Sequence, residues 1–203
     1  MLVMQEETTE DISMMAGVSP NEDSYFGTSV FQHAKNRSLW LMLLMLSATV
    51  SGEILAHYEK AMAAMPVLIT FIPMLMGTSG NSGSQSSTMV IRGLAVGEIQ
   101  FKDFFRVVFK EIRVALIVGV LLAIVNGIRV YLMYDQDLTL AIAIGITMIA
   151  IVCMAKCVGC TLPLLAKKIG LDPALMAAPL ISTIMDTCTI LMYFAIITAL
   201  YRM

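Results

Sequence analysis

From the N-terminus onward the chain alternates between long apolar runs and short polar joints. A helical bilayer crossing needs about 20 mostly apolar residues. Five stretches qualify: 39–56, 66–91, 114–134, 138–161 and 173–201. None alternates polar and apolar positions over about 10 residues, as the strands of a membrane barrel do. The pattern predicts an all-α integral membrane protein with five transmembrane helices. Residues 1–38 are expected to form an acidic cytoplasmic tail and pre-membrane segment, and residues 39–203 the transmembrane domain. Within the tail, residues 1 to about 24 read as a mobile acidic extension. The joint QFKDFFRVVFKEIR sets Phe101, Phe104, Phe105, Val108 and Ile112 on one side at helical spacing, with Lys102, Arg106, Lys110 and Arg113 offset. That arrangement predicts a helix lying along the inner membrane surface before the chain turns into the third span. A regulatory or partner-binding helix is the functional alternative.

Composition sharpens this picture. Of 203 residues, 58% are hydrophobic and 14% charged, with a mean hydropathy of +0.82, too apolar for a soluble globule. The net charge is -2, and six acids fall in the first 23 residues without a Lys or Arg among them, so nucleic acid is not an expected partner. Cys153, Cys157, Cys160 and Cys188 lie in apolar stretches and do not form the disulfide framework of a small secreted domain. The N-terminus lacks the apolar run of a secretory signal. Cytoplasmic ends of membrane helices are enriched in Lys and Arg. With the N-terminus inside, that side holds Lys35, Arg37, Arg92, Lys102, Arg106, Lys110, Arg113, Lys156, Lys167 and Lys168, against Lys60, Arg129 and Arg202 outside. The expected orientation is N-in and C-out, in the cytoplasmic membrane.

The second span is interrupted. Residues 77–88, GTSGNSGSQSST, contain no large apolar side chain. Lipid cannot solvate such a face, so it must meet protein or water. Individual glycines fit tight helix packing, but the whole run points to Asn81, Gln85 and the hydroxyls lining a hydrophilic path. Gly77-Thr78-Ser79-Gly80 also has the form of the G-x-S-G nucleophile motif of rhomboid intramembrane proteases. A serine nucleophile needs a base within reach, and His33 and His57 both lie outside the late helices where that family carries its base. A serine protease is thus a remote alternative, and the protein is not expected to be an enzyme.

The fifth span carries an acid. Asp172-Pro173 reads as a helix start, the Asp capping free N–H groups and the Pro taking the first helical position. A helix continuing from there would carry Asp186 about 21 Å inward, within about 40° of the same face. Ser182, Thr183 and Thr189 flank it. Carboxylates at membrane depth usually mark an ion pathway or proton relay. A neutral Asp hydrogen-bonded to hydroxyls is the alternative. Were two copies of Asp186 to meet on a dimer axis, a divalent ion or a proton would relieve their repulsion. Asp, Asn, Ser and Thr are hard oxygen donors suited to Mg²⁺, Ca²⁺ or Mn²⁺. Mg²⁺ keeps several of its waters and needs few carboxylates in a roomy polar lining. A soft-metal transporter using Cys153, Cys157, Cys160 and the methionines is a further alternative.

Taken together, these segments resemble the membrane domain of the MgtE family of magnesium channels and transporters. The likeness runs from about Arg37 to the C-terminus, through RSLWLMLL, FIPMLMGTSGNSGSQSSTMVIRGLAVGEI, KEIRVALIVGVLLAIVNG, LPLLAKKIGLDPALMAAP and STIMDTCTILMYF. It implies a homodimer with the ion path on its two-fold axis, lined by the second and fifth helices of both subunits. It implies Mg²⁺ as the transported ion, with Asp186 binding it largely through its water shell. It places Asp172 and Glu111 as further metal-binding acids near the cytoplasmic mouth, and Asn81, Gly80, Gln85, Ser182 and Thr183 along the pore, without deciding which of Asn81, Gly80 and Gln85 faces the ion. A Na⁺- or H⁺-coupled exchanger using the same acid is the main rival, and a structural or regulatory subunit without transport is another. Three departures stand out. About 38 residues before the first span do not encode the soluble N-terminal and cystathionine-β-synthase-type sensor domains of bacterial members, so no such regulatory domain is expected to cover the pore; the acidic segment could plug it instead. Ala178 stands where some relatives have a polar residue, so a lower cation site is expected to be missing. Lys156 either snorkels to the inner surface or, if turned toward the path, pairs with an acid.

Overall fold

The computed structural model describes residues 10–19, 24–135 and 137–201, and every regular element among them is helical. In chain order the α-helices from residue 30 onward are α1 (Val30–His57), α2 (Glu59–Ala64), α3 (Ile72–Ala95), α4 (Phe104–Met133), α5 (Leu138–Lys168) and α6 (Ala178–Tyr201). Short 3-10 segments precede α3 (Pro66–Phe71), α4 (Phe101–Asp103) and α6 (Pro173–Met176). By length and composition α1, α5 and α6 are apolar enough to cross a membrane.

Local chemistry sets the helix ends. Ser29 accepts the Gln32 N–H at 3.2 Å ahead of α1, and Asp137 accepts the Leu140 N–H at 2.9 Å ahead of α5. Before α4, Gln100 and Asp103 cap one another reciprocally. Gly97 and Gly170, at φ of 75° and 79°, turn the chain after α3 and α5 in a region open to glycine.

The bundle is built around α5, which α3, α4 and α6 all touch. Close approach depends on glycine. A Cβ on Gly159 of α5 would lie 2.2 Å from the Gly83 carbonyl oxygen of α3, and one on Gly83 would lie 2.7 Å from Ile181 Cγ2 of α6. At one end Leu68, Phe71, Leu75, Ile144, Ile151, Tyr193, Phe194 and Ile197 close into an apolar cluster. There the Tyr193 hydroxyl donates to the Leu68 carbonyl at 3.0 Å, and Tyr58 stacks on Phe194 at 4.5 Å. α1 lies outermost. Its single buried residue, Ser51, shares a 2.6 Å hydrogen bond with Thr187 of α6.

Several sequence expectations need correction. The run 173–201 is not one helix. It is a 3-10 turn, an extended residue at Ala177 (φ −91°, ψ −164°), and then α6 from Ala178. Pro179 explains the break: it has no N–H for the Leu175 carbonyl four residues back, and its ring would crowd that carbonyl, so it is tolerated only in the first turn of a new helix. The 14-residue projection from Asp172 to Asp186 therefore fails. Asp186 lies eight residues into α6, about 12 Å along a helix of about 36 Å. The joint before the third span likewise makes no separate surface helix: residues from Phe104 onward are already the first turns of the 30-residue α4. Phe101, Phe104 and Val108 pack beside Val90, Cys160 and Leu164, so tertiary burial holds the segment in line, while Phe105 stays exposed. Of the expected mobile tail, residues 1–9 and 20–23 lie outside the described residues. Residues 10–15 are helical, and Gly17 packs so closely on Trp40 that a Cβ would fall 2.2 Å from its ring nitrogen.

The Gly83–Gly159 contact is sterically saturated, so Gly159→Ala should destabilise the protein by about 1–3 kcal/mol, the usual cost of overpacking. Thermal unfolding of the detergent-solubilised variant measures this, and an unchanged midpoint would show that the two helices part freely.

Candidate functional site

The polar run on α3 divides into two faces. Ser79, Gly80, Ser82, Gly83, Ser86 and Ser87 are buried against the rest of the bundle. Asn81, Gln85 and Thr88 are exposed on the opposite side. At about 100° per residue these three align with Met74 and Arg92, so the open stripe runs most of the length of α3. Arg129 of α4 reaches its Met74 end, donating to the Met74 sulfur at 3.4 Å and to Asn126 at 3.0 Å. Of the three pore candidates on this helix, Gly80 belongs to the inner face: a Cβ there would be 3.2 Å from Ser182 Oγ.

The inner face is a seam of hydroxyls. Ser79 Oγ and Thr189 Oγ1 lie 2.6 Å apart, and Ser79 also donates to the Met76 carbonyl. Ser87 donates to the Met176 carbonyl, an acceptor made available by the break at Ala177. These contacts pair α3 and α6 antiparallel, Ser79 with Thr189 near one end and Ser87 with Met176 near the other. On α6, Ser182, Asp186 and Thr189 follow one another at spacings of four and three, so Asp186 sits between two side chains that touch α3. It is half-buried and has no hydrogen-bond or ion-pair partner among the described residues. Thr183 is buried with its hydroxyl donated to Pro179 O at 2.9 Å, and Ala178 is exposed at the first turn.

Asp172 caps as expected, its Oδ1 accepting the Ala174 N–H at 2.8 Å with Pro173 next to it. It also lines a cavity of about 540 Å³ with Asp11, Lys167, Ile91, Leu94 and Pro173. The two acids at the mouth of this cavity come from segments 161 positions apart, and the sequence offers no sign that Asp11 belongs there.

Glu111 and Lys156 meet inside the bundle. Ser86 donates to Glu111 Oε2 at 2.5 Å, Lys156 Nζ donates to Ser86 Oγ at 3.3 Å, and Lys156 stands 4.0 Å from Glu111. Lys156 is 5% exposed. It does not snorkel to a surface; it pairs with an acid, the other course open to it from the sequence. The protease alternative gains nothing, because the Ser79 hydroxyl is spent on Thr189 and Met76 with no base beside it. Among the described residues no group of three His, Cys, Asp or Glu side chains is placed to hold a metal within this one chain. That removes the geometric basis for a soft-metal site at Cys153, Cys157 and Cys160.

Sequence reasoning passed over Ser51, Ser86 and Ser87 as individuals and took Ser79 only as a candidate nucleophile. Their signal is spacing: Ser79, Ser82, Ser86 and a glycine at 83 recur at three and four along one face, the pattern of a polar interhelical seam.

Comparison with known proteins places these features in a family. Residues 72–196 match the family model MgtE, described as a divalent cation transporter. The chain is 34% identical over 194 residues to the magnesium transporter MgtE of Thermus thermophilus, an alignment covering 96% of this chain and 43% of that protein. The magnesium transporters MgtE of Bacillus subtilis and Enterococcus faecalis are 31% and 30% identical, over 97% and 98% of this chain and again 43% of each relative. The chain thus spans less than half the length of the curated relatives it matches.

The hydroxyl seam generates a quantitative expectation. In a double-mutant cycle, Ser79→Ala and Thr189→Val should show a coupling of roughly 0.6 kcal/mol, the average for interhelical hydrogen bonds in membranes. Unfolding of the two single variants and the double variant in mixed micelles measures it, and strictly additive losses would mean that the pair does not interact.

Proposed function

The chain belongs to the MgtE family, and from that premise we propose that it carries divalent cations, chiefly Mg²⁺, across the cytoplasmic membrane. In this reading α1, α3, α4, α5 and α6 are the five spans, with the N-terminus inside and the C-terminus outside. Two copies associate about an axis beside the open face of α3, and the path runs between the α3 and α6 helices of both. The carrying observation is Asp186: a carboxylate in an apolar helix, flanked by hydroxyls and left without an internal counter-charge. Glu111 of α4, by contrast, is paired with Lys156.

The chemistry follows from charge and hydration. Mg²⁺ sheds its waters reluctantly, so a path for it must be wide and must address the water shell. Asn81, Gln85 and Thr88 offer donors and acceptors to those waters, while two Asp186 carboxylates facing across the axis supply the charge that draws the ion from bulk solvent. Two like charges at that separation are mutually unfavourable until a divalent ion lies between them, which gives the site its preference for +2 over +1. Asp172, with one oxygen given to its cap, lines the cavity shared with Asp11 and provides a weaker second point of attraction. The relatives bear the names of transporters rather than enzymes, which fits a site made of charge and water contacts without a nucleophile or base.

Asp186→Asn keeps the side-chain shape and removes the charge. In a low-dielectric path the loss in cation binding should reach at least about 1.4 kcal/mol, a factor of ten. Mg²⁺ influx into proteoliposomes should fall by that factor or more, whereas Asp172→Asn should lower it severalfold. Wild-type flux through the Asp186→Asn variant would sink the assignment, and absence of Mg²⁺ flux in the wild type would sink the function.

A further inference from the structure

The pair formed by Lys156 and Glu111 is not needed to conduct an ion, yet a buried ammonium is an unusual thing to place beside a cation path. Its side chain is 6% exposed and that of Glu111 17%. Taking two such charges out of water costs several kcal/mol each, and breaking the pair by removing one partner is worse, because the survivor is left uncompensated. The geometry is specific. Ser86 stands between the charges, accepting from Lys156 and donating to Glu111, so one hydroxyl from α3 joins an amine on α5 to a carboxylate on α4. Ser86 belongs to the buried face of α3, and its neighbour Gln85 to the open stripe. The ion pair therefore lies directly behind the lining of the proposed path, separated from it by the thickness of one helix.

We propose that Lys156 is a tethered counter-cation. Its ammonium occupies Glu111 in place of a divalent ion, so that Glu111 neither captures the transported cation nor leaves a net charge behind α3. Ser86 fixes the distance between the two. This assignment rests on the cation-transport reading and adds to it a determinant of how many ions the pathway holds: Asp186 is left open, and Glu111 is closed by the chain's own amine. Without the ammonium, the Glu111 carboxylate would require an outside cation.

The test is Mn²⁺ binding to the full chain in lipid nanodiscs, read from the free Mn²⁺ signal by electron paramagnetic resonance. Lys156→Gln can still donate to Ser86 but carries no charge. It is expected to bind one more Mn²⁺ per protomer than the wild type, and to gain more thermal stability from Mn²⁺ than the wild type does. Both gains should vanish in the double variant Lys156→Gln/Glu111→Gln. A folded Lys156→Gln protein with wild-type Mn²⁺ stoichiometry and no extra stabilisation would overturn the proposal. So would failure of both the single and the double variant to fold, since that would make Lys156 a packing residue and not a counter-charge. Folding of the double variant alone, with the single variant rescued by Mn²⁺, would support it. Mg²⁺ flux through the wild type, measured on the same preparation, judges the transport reading separately: flux without the extra site rejects only the counter-cation.

Discussion

The fold depends on one contact, the passage of the α3 backbone over α5 at Gly83 and Gly159. Over the twelve consecutive small or polar residues at its middle, α3 has no large apolar side chain with which to hold its neighbours, and in hydrocarbon it gains nothing there from burial for its own sake. What it gains comes from proximity. With both Cβ atoms absent, the two backbones lie close enough for α3 to sit in the angle between α5 and α6, and only at that range do the short arms of Ser79, Ser86 and Ser87 reach Thr189, Glu111 and the Met176 carbonyl. Widening that crossing by the radius of a methyl group would leave several hydroxyls without partners, and Glu111 without its hydrogen-bond donor, in a medium that supplies none.

The same contact explains the division of labour on α3. Because its inner face is consumed by packing, only the stripe through Asn81, Gln85 and Thr88 is available for anything else, and that stripe cannot rest against lipid. Water or a second copy of the chain must meet it. The apolar α1 lies on the far side of α6, joined by Ser51 and Thr187, and leaves the stripe uncovered.

How much of this could be read from the sequence depends on the range of the interaction. The all-helical character, the polar break in the second span, the cap at Asp172 and the family were legible, because hydrophobic runs, capping residues and local motifs act over a few positions. The break at Ala177 was also written locally, in Pro179, but the apolar run around it masked the signal. The junction of Lys156, Ser86 and Glu111 joins residues 45 and 70 positions from the lysine, and each alone has a plausible separate fate: snorkelling, packing, or lining a mouth. Only the packing of three helices chooses between them. Asp11 at the Asp172 cavity is the same kind of case, a local acidic pattern assigned to a free tail because the other residues of that cavity lie far along the chain.

Charge placement within the bundle then follows a simple economy. The membrane tolerates an ionised side chain only when something answers it. Glu111 is answered by Lys156, and Arg129, at the Met74 end of the stripe, is met by the Asn126 side-chain amide oxygen and the Met74 sulfur. Asp186 has hydroxyl neighbours on its own helix and, among the described residues, no cation beside it. A stable apolar helix has no structural use for such a residue, since Asn or Ser would fill the position without a charge. Under the cation-transport reading the charge that answers Asp186 comes from outside the chain, and the open stripe of Asn81, Gln85 and Thr88 on α3 is where an ion still carrying its water would travel.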